Sequence, residues 1–219
     1  DVHLTASNAD QKNRLTAPSP ITGLAFSPNG ETLVAAHQDG VIRWRVTAPD
    51  QPPVEMPITG SPTGLLFSTD GVWLAVLLQS DGFCLIDTAS NIAYPHGNFP
   101  APVRSVAFSS PTNSVAASGA FRVAAWGLDD QHDIVSGKAG LVLINAVAAC
   151  PTRNLVAVGY ANGLLSLAEV GRPSEILLRE DTGVGITSMA WSSDGSYLAL
   201  AGADGSAALI EFPDSMFKS

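Results

Sequence analysis

Short apolar runs alternate with polar turns along the whole chain, at the spacing of β-strands rather than helices. Residues 21–26 alternate between apolar and small side chains, and Pro28-Asn29-Gly30 follows them. A second apolar run occupies 33–36. Because Asn-Gly supplies the positive φ angles that a tight hairpin needs, this stretch predicts two antiparallel strands joined by a turn.

The same pattern recurs at a nearly constant interval. Five segments align on an anchor at the end of the first strand, and the anchors lie 41, 41, 41 and 42 residues apart. They are Phe26, Phe67, Phe108, Ala149 and Trp191. Self-similarity at a fixed period of this length indicates a repeat architecture.

Each repeat continues with a second turn and a third strand. The second turns are Asp39-Gly40, Asp81-Gly82, Asn162-Gly163 and Asp204-Gly205, with Ala120-Phe121 in the third repeat. The third strands carry Trp44, Ile86, Trp126, Leu167 and Leu209. Three strands joined by two hairpins, with a more variable fourth strand, predict one four-stranded antiparallel blade of a β-propeller.

The combination resembles the WD-repeat (WD40) β-propeller family in a degenerate, bacterial-type form. The resemblance lies in the period near 41, the Ser-Pro-Asn-Gly type of first turn, the second Asp-Gly and the following Trp. The Gly-His pair and an intact Trp-Asp are absent, and Ala35 and Ala75 replace the usual strand-two Ser or Thr. The family's buried Asp–His–Ser–Trp network therefore cannot form, and we expect apolar packing to hold the blades together.

The resemblance implies an all-β fold of five full repeats plus half a blade, in a single domain over 1–219. The repeats are expected near 21–60, 61–102, 103–143, 144–185 and 186–219, with the outer strands of a preceding blade in 1–20. Within 1–20, residues 2–5 predict a third strand, 7–10 a turn and 13–16 a fourth strand. Residues 207–212 predict a third strand with no fourth.

The count of blades favours the C-terminal part of a seven-bladed propeller that lacks roughly its first 100 residues, an estimate from the repeat length. A missing N-terminal segment or a second chain would then complete the ring. A five-bladed ring is the competing interpretation.

The net charge restricts the class of partner, and the cysteine content bears on the cellular setting. The formal net charge is −9 without a basic run, which disfavours nucleic acid and anionic membrane surfaces. No apolar stretch is long enough for membrane insertion. Cys84 and Cys150 lie far apart in apolar runs and predict two buried free thiols, so a cytoplasmic setting is favoured.

No catalytic constellation is apparent. The four histidines lack metal-ligand spacing, and the repeated Asp residues occupy turn positions that backbone geometry alone explains. We therefore expect no enzyme activity, no metal and no cofactor. The alternative is a propeller enzyme or small-ligand binder that uses the axial channel, with at least two converging carboxylates or a metal.

The preferred hypothesis is a scaffold that binds a protein or peptide partner. In the family, recognition uses the smaller face, built from the loops before the first strand and between the second and third strands. The matching candidates are His37, Arg104, Phe121, Arg122 and Tyr160. Phe121 has an alternative role, packing where the Asp-Gly turn is missing. Residues 127–140 predict an enlarged turn between third and fourth strands on the opposite face, either a surface insertion or a docking loop.

Overall fold

A computed structural model describes residues 2–5, 12–56, 58–80 and 82–213. The described chain forms twenty-one β-strands and one 3-10 helix, Ser110–Thr112. It divides into two compact units, residues 1–98 (unit 1) and 99–219 (unit 2). The prediction of one domain over 1–219 stays a prediction.

The strands of unit 1 are β1 (Val2–Thr5), β2 (Lys12–Leu15), β3 (Ile21–Phe26), β4 (Thr32–His37), β5 (Gly40–Arg45), β6 (Val54–Met56), β7 (Pro62–Phe67), β8 (Trp73–Leu78), β9 (Gly82–Asp87) and β10 (Ala93–Gly97). Those of unit 2 are β11 (Val106–Ser109), β12 (Ser114–Ala117), β13 (Ala124–Gly127), β14 (Asp133–Val135), β15 (Ile144–Ala149), β16 (Val156–Tyr160), β17 (Leu165–Ala168), β18 (Glu175–Arg179), β19 (Ile186–Trp191), β20 (Tyr197–Gly202) and β21 (Ala207–Glu211).

Each sheet is an antiparallel meander in which consecutive strands are neighbours. Unit 1 contains the two-stranded sheet β1–β2 and the four-stranded sheets β3–β6 and β7–β10. Unit 2 contains the four-stranded sheets β11–β14 and β15–β18 and the three-stranded sheet β19–β21. The predicted propeller-type blade is therefore confirmed. The fifth repeat has three described strands, as the sequence predicts.

A serine clamp closes the first hairpin of three repeats. Ser68 Oγ donates to Asp70 Oδ1 at 2.6 Å and accepts the backbone N–H of Trp73 at 2.9 Å. The same two contacts recur around Ser27 with Asn29 and around Ser192 with Asp194. Local hydrogen bonding thus explains why Ser-x-Asp/Asn-Gly repeats.

Apolar side chains build the core between neighbouring sheets. In unit 2, Leu198 and Leu200 of β20 pack with Leu165, Leu167 and Phe212. Apart from Tyr160, the buried members of these core clusters are apolar residues and Cys84. Apolar packing therefore holds the described blades together, as expected from the missing polar network.

The N-terminal half-blade forms as predicted. β1 pairs with β2 in the register Val2↔Leu15. The predicted turn at 7–10 lies outside the described residues. Leu15 packs against Leu33 and Trp44, whereas Phe26, next to Leu33 across the β3–β4 pair, stays exposed. Leu15 of the half-blade therefore packs on the second and third strands of the sheet β3–β6.

The last sheet also has one open face. Leu198 and Leu200 are buried against the preceding sheet, but Leu209 of β21 is 66% exposed. Leu209 pairs with Ala199, which is exposed as well. Leu209 is therefore not a core residue like Trp44 or Ile86. The number of blades in the complete ring stays a prediction.

The prediction for residues 127–140 needs correction. They are not one enlarged turn, because the fourth strand β14 lies within them. A five-residue turn precedes β14, and Gln131 adopts a left-handed conformation in it with φ 58°. Half-buried Ile134 packs against the core and fixes the strand. Residues 136–143 connect β14 to β15, and this connection is as long as residues 98–105 between β10 and β11.

Candidate partner-binding surface

The antiparallel order places two kinds of loop at the same end of every blade. The loop that leads into a first strand lies beside the turn between the second and third strands. In unit 2 these segments are 100–105, 118–122, 139–143, 160–164, 181–185 and 202–206, here called the loop end. The β14–β15 connection therefore lies at this end, not on the opposite face.

Backbone hydrogen bonds join neighbouring segments of the loop end. They are Ala101 N–H to Gly119 O (3.1 Å), Gly140 N–H to Phe121 O (2.9 Å), Ala161 N–H to Leu143 O (2.9 Å), Gly183 N–H to Asn162 O (2.9 Å) and Ala203 N–H to Gly185 O (2.9 Å). The backbone that carries the side chains of these loops is therefore fixed by hydrogen bonds between neighbouring segments.

Phe121 and Arg122 lie side by side on the 118–122 segment. Phe121 is 42% exposed, so it does not simply fill the space of the missing Asp-Gly turn. Arg122 is half-buried, and its Nε is buried without a hydrogen-bond partner among the described residues.

Arg104 occupies a position that is polar in every repeat. The equivalent residues are Thr22, Thr63, Asn145 and Thr187, each at a register shift near the start of its first strand. Arg104 is exposed, and its backbone N–H and that of Ser105 donate to buried Ser118 Oγ at 3.1 and 3.0 Å. β-bulges commonly redirect side chains near functional sites.

His37, in unit 1, is buried. Its Nδ1 lies 3.0 Å from Ser19 Oγ and accepts the Asp39 N–H at 3.4 Å. These contacts order the turn between β4 and β5.

Tyr160 is also buried, with 6% of its surface exposed. Its hydroxyl donates to Glu175 Oε2 at 2.7 Å. Burial, reinforced by the Glu175 carboxylate, raises the pKa of Tyr160. The structure thus brings Phe121, Arg122 and Tyr160 to one end of unit 2, but the Tyr160 ring faces inward.

Two residues that sequence reasoning missed belong to this surface. Leu141 is 96% exposed, directly after Gly140. The sequence signal for it is weak, an apolar residue between a glycine and a strand. Glu175 begins β18 and reaches the 137–140 segment through its side chain. Nothing in the sequence distinguishes Glu175 from a solvated strand residue.

The turn carboxylates are engaged locally. Asp194 accepts from Ser192 and Ser196, and these hydrogen bonds lower the pKa of Asp194 to about 2. The pKa of Asp70 is lowered chiefly by Ser68. Across the described ranges, no three His, Cys, Asp or Glu residues form a cluster that could hold a metal ion. Cys84 and Cys150 are buried free thiols, as predicted.

The described part of the chain has no helix long and apolar enough to cross a membrane.

Comparison with known protein families agrees with the blade structure. The family described as WD domain, G-beta repeat matches residues 10–44 and 176–210. The second match begins in the outer strand β18 and ends in the third strand β21, and the first begins two residues before β2 and ends in the third strand β5. The chain therefore contains WD repeats. A search of the curated proteins found no match.

WD-repeat proteins generally act as scaffolds for protein interactions and not as catalysts. Stacked repeats suit this role because they present extended, concave surfaces to a partner. The general kind of function follows from the repeats.

Proposed function

We propose that this WD-repeat protein is a non-catalytic scaffold that binds a protein or peptide through the loop end of unit 2. One observation carries the proposal. Exposed Phe121 and Leu141 lie on adjacent segments joined by the Gly140–Phe121 hydrogen bond, and Arg122 is the next residue. Aromatic and Arg side chains are the types most enriched in binding hot spots, and the apolar side chains beside them exclude water from the contact.

The five candidate residues divide into two groups. Phe121 and Arg104 are exposed, Arg122 is half-buried beside Phe121, and we assign all three to the contact with the partner. His37 and Tyr160 are buried and act by ordering the loops around them. Exposed Leu141 joins the contact group.

The setting we propose is cytoplasmic. Cys84 and Cys150 are both buried and free, and burial raises the pKa of Cys84 to about 11. Unpaired thiols are typical of proteins from reducing compartments.

Affinity capture with the full-length protein, followed by identification and purification of the partner, supplies the binding assay. Calorimetry should then show that Phe121→Ala and Arg122→Ala each weaken binding by about tenfold or more, the effect of losing a hot spot. Leu141→Ser should weaken binding in the same direction.

Ile92→Ser provides the matched control. Ile92 is an exposed apolar residue in the turn between β9 and β10, outside the loop end. This variant should bind like the wild type. Undiminished binding by both Phe121→Ala and Arg122→Ala would rule out the loop end as the contact surface.

A further inference from the structure

A cavity of about 340 Å³ opens beside the loop end, between the 138–142 segment and strands β16–β18. Apolar side chains form its walls, and they are Leu141, Val142, Leu164 and Leu177. Polar groups at the cavity come from Tyr160, Ser166 and Glu175.

The Glu175 carboxylate is held by three neutral donors. Oε2 accepts the hydroxyls of Tyr160 at 2.7 Å and Ser166 at 2.5 Å, and Oε1 accepts the backbone N–H of Lys138 at 2.9 Å. Three different segments therefore fix the carboxylate in one position. An arrangement of this kind is preorganised for a ligand.

Gly137 makes the close approach of the carboxylate possible. Its φ is 69°, and a Cβ at this position would lie 2.6 Å from Glu175 Oε1. Any side chain at residue 137 would displace the carboxylate. Gly137 thus leaves space for the Glu175 carboxylate, and Lys138 binds it through its backbone N–H.

The negative charge of Glu175 lacks a positive partner. None of the basic side chains among residues 14–56, 58–80 and 82–213 forms an ion pair with Glu175. Lys138 contributes only its backbone N–H, and its side chain is exposed. A half-buried carboxylate in apolar surroundings is costly unless a cation compensates it. The cavity is therefore electrostatically complementary to a cation.

We infer that this cavity binds a lysine side chain presented by the partner, an inference that depends on the proposed scaffold function. The apolar walls suit the methylene stem of lysine, and Glu175 suits its ammonium group. Lysine fits better than arginine because Oε2 already accepts two hydrogen bonds and Oε1 one. A compact ammonium needs only one remaining acceptor site, whereas a bidentate guanidinium needs an open site on each oxygen.

The first test uses the wild-type chain and simple probes. Backbone amide NMR titrations with N-acetyl-lysine methylamide should shift the Lys138 amide. The norleucine analogue, which has nearly the same stem without the ammonium, should bind at least tenfold more weakly. Equal binding of the two probes overturns the inference, and so does tighter binding of the arginine analogue.

The second test uses Glu175→Gln, which keeps the shape of the side chain and one accepting oxygen but removes the charge. We expect at least a tenfold loss in lysine affinity for this variant and none for Glu169→Gln, the same substitution at a carboxylate that pairs with Arg172 and does not line the cavity. Unchanged lysine affinity in Glu175→Gln would overturn the inference. If Glu175→Gln does not fold, the comparison of the two probes on the wild type decides alone.

The same variant separates this inference from the scaffold proposal. If Glu175→Gln binds the purified partner normally while Phe121→Ala does not, the partner binds the loop end without using the lysine cavity. If neither variant weakens binding and Arg122→Ala also binds normally, the loop-end proposal fails as well.

Discussion

Tyr160 and Glu175 join strands β16 and β18 through a 2.7 Å hydrogen bond across the intervening strand β17. Ser166 of β17 donates to the same carboxylate oxygen, and the Lys138 N–H donates to the other. One carboxylate therefore links three strands of a blade to the preceding connection. The position of the 137–140 segment depends on this link.

Replacing Tyr160 with Phe should destabilise the protein by about 2 kcal/mol, because a buried hydrogen bond to a charged acceptor is lost. Tyr197→Phe is the matched control, since Tyr197 is exposed in the same unit. Its effect should be within about 0.5 kcal/mol. Urea denaturation measures both. Equal stability of the two variants would mean that the Tyr160 hydroxyl contributes nothing.

The stabilisation from Tyr160 should also depend on pH. The pKa of Tyr160 is raised in the folded state, so the unfolded chain ionises first, near pH 10. The contribution is complete below pH 10 and is lost as pH rises through the folded pKa, with a slope of up to about 1.4 kcal/mol per pH unit. Urea curves from pH 8 to 11 should show the advantage of wild type over Tyr160→Phe shrinking above pH 10. A constant difference would contradict this.

The blades were predictable from sequence because their signals are local. Asn29, Asp70 and Asp194 close first hairpins by bonding to a serine two residues before them. This hydrogen bond is present in both repeats, although the anchor residue is Phe67 in one and Trp191 in the other.

The site was predictable only in part because exposure depends on distant neighbours. Tyr160 was expected to face a partner, yet it is buried against Glu175, a residue of the variable fourth strand. Leu141 was not singled out, because an apolar residue before a strand ordinarily packs. The position of β14 within 127–140 depends on Ile134 contacting the core, which the length of the segment does not reveal.

Asp194→Asn should preserve the fifth repeat's hairpin and remove its pH dependence. Asn29 shows that an amide oxygen serves this turn, since it accepts from Ser27 Oγ at 2.6 Å and from the Glu31 N–H at 3.1 Å. The pKa of Asp194 is lowered from 3.8 to about 2 by Ser192 and Ser196. The contribution of the ionised Asp194 carboxylate to folding stability is therefore present above pH 4 and is lost as the pH falls to about 2.

Thermal melts of wild type and Asp194→Asn between pH 2 and 6 measure this contribution. Relative to Asp194→Asn, the wild type should lose stability as the pH drops below 4. Asp194→Ala, which lacks an acceptor, should be less stable than Asp194→Asn at pH 6. A pH profile of Asp194→Asn identical to that of the wild type would show that the Asp194 carboxylate is not the titrating group.

Gly163 and Gly205 occupy the same second-turn position in consecutive repeats but should respond differently to alanine. Both have positive φ, 91° and 84°, so Ala at either costs about 1–2 kcal/mol of backbone strain. A Cβ on Gly205 meets open space, whereas one on Gly163 would lie 2.2 Å from Thr182 Oγ1 and 2.5 Å from Val184 O. Because Val184 O belongs to the backbone of the loop end, the clash with a Cβ on residue 163 can be removed only if that loop moves.

Gly163→Ala should therefore be destabilised by clearly more than Gly205→Ala in urea denaturation, with partner binding weakened only in Gly163→Ala. Equal losses of stability would show that the loop at 181–185 moves away from the added Cβ without lowering the free energy of unfolding.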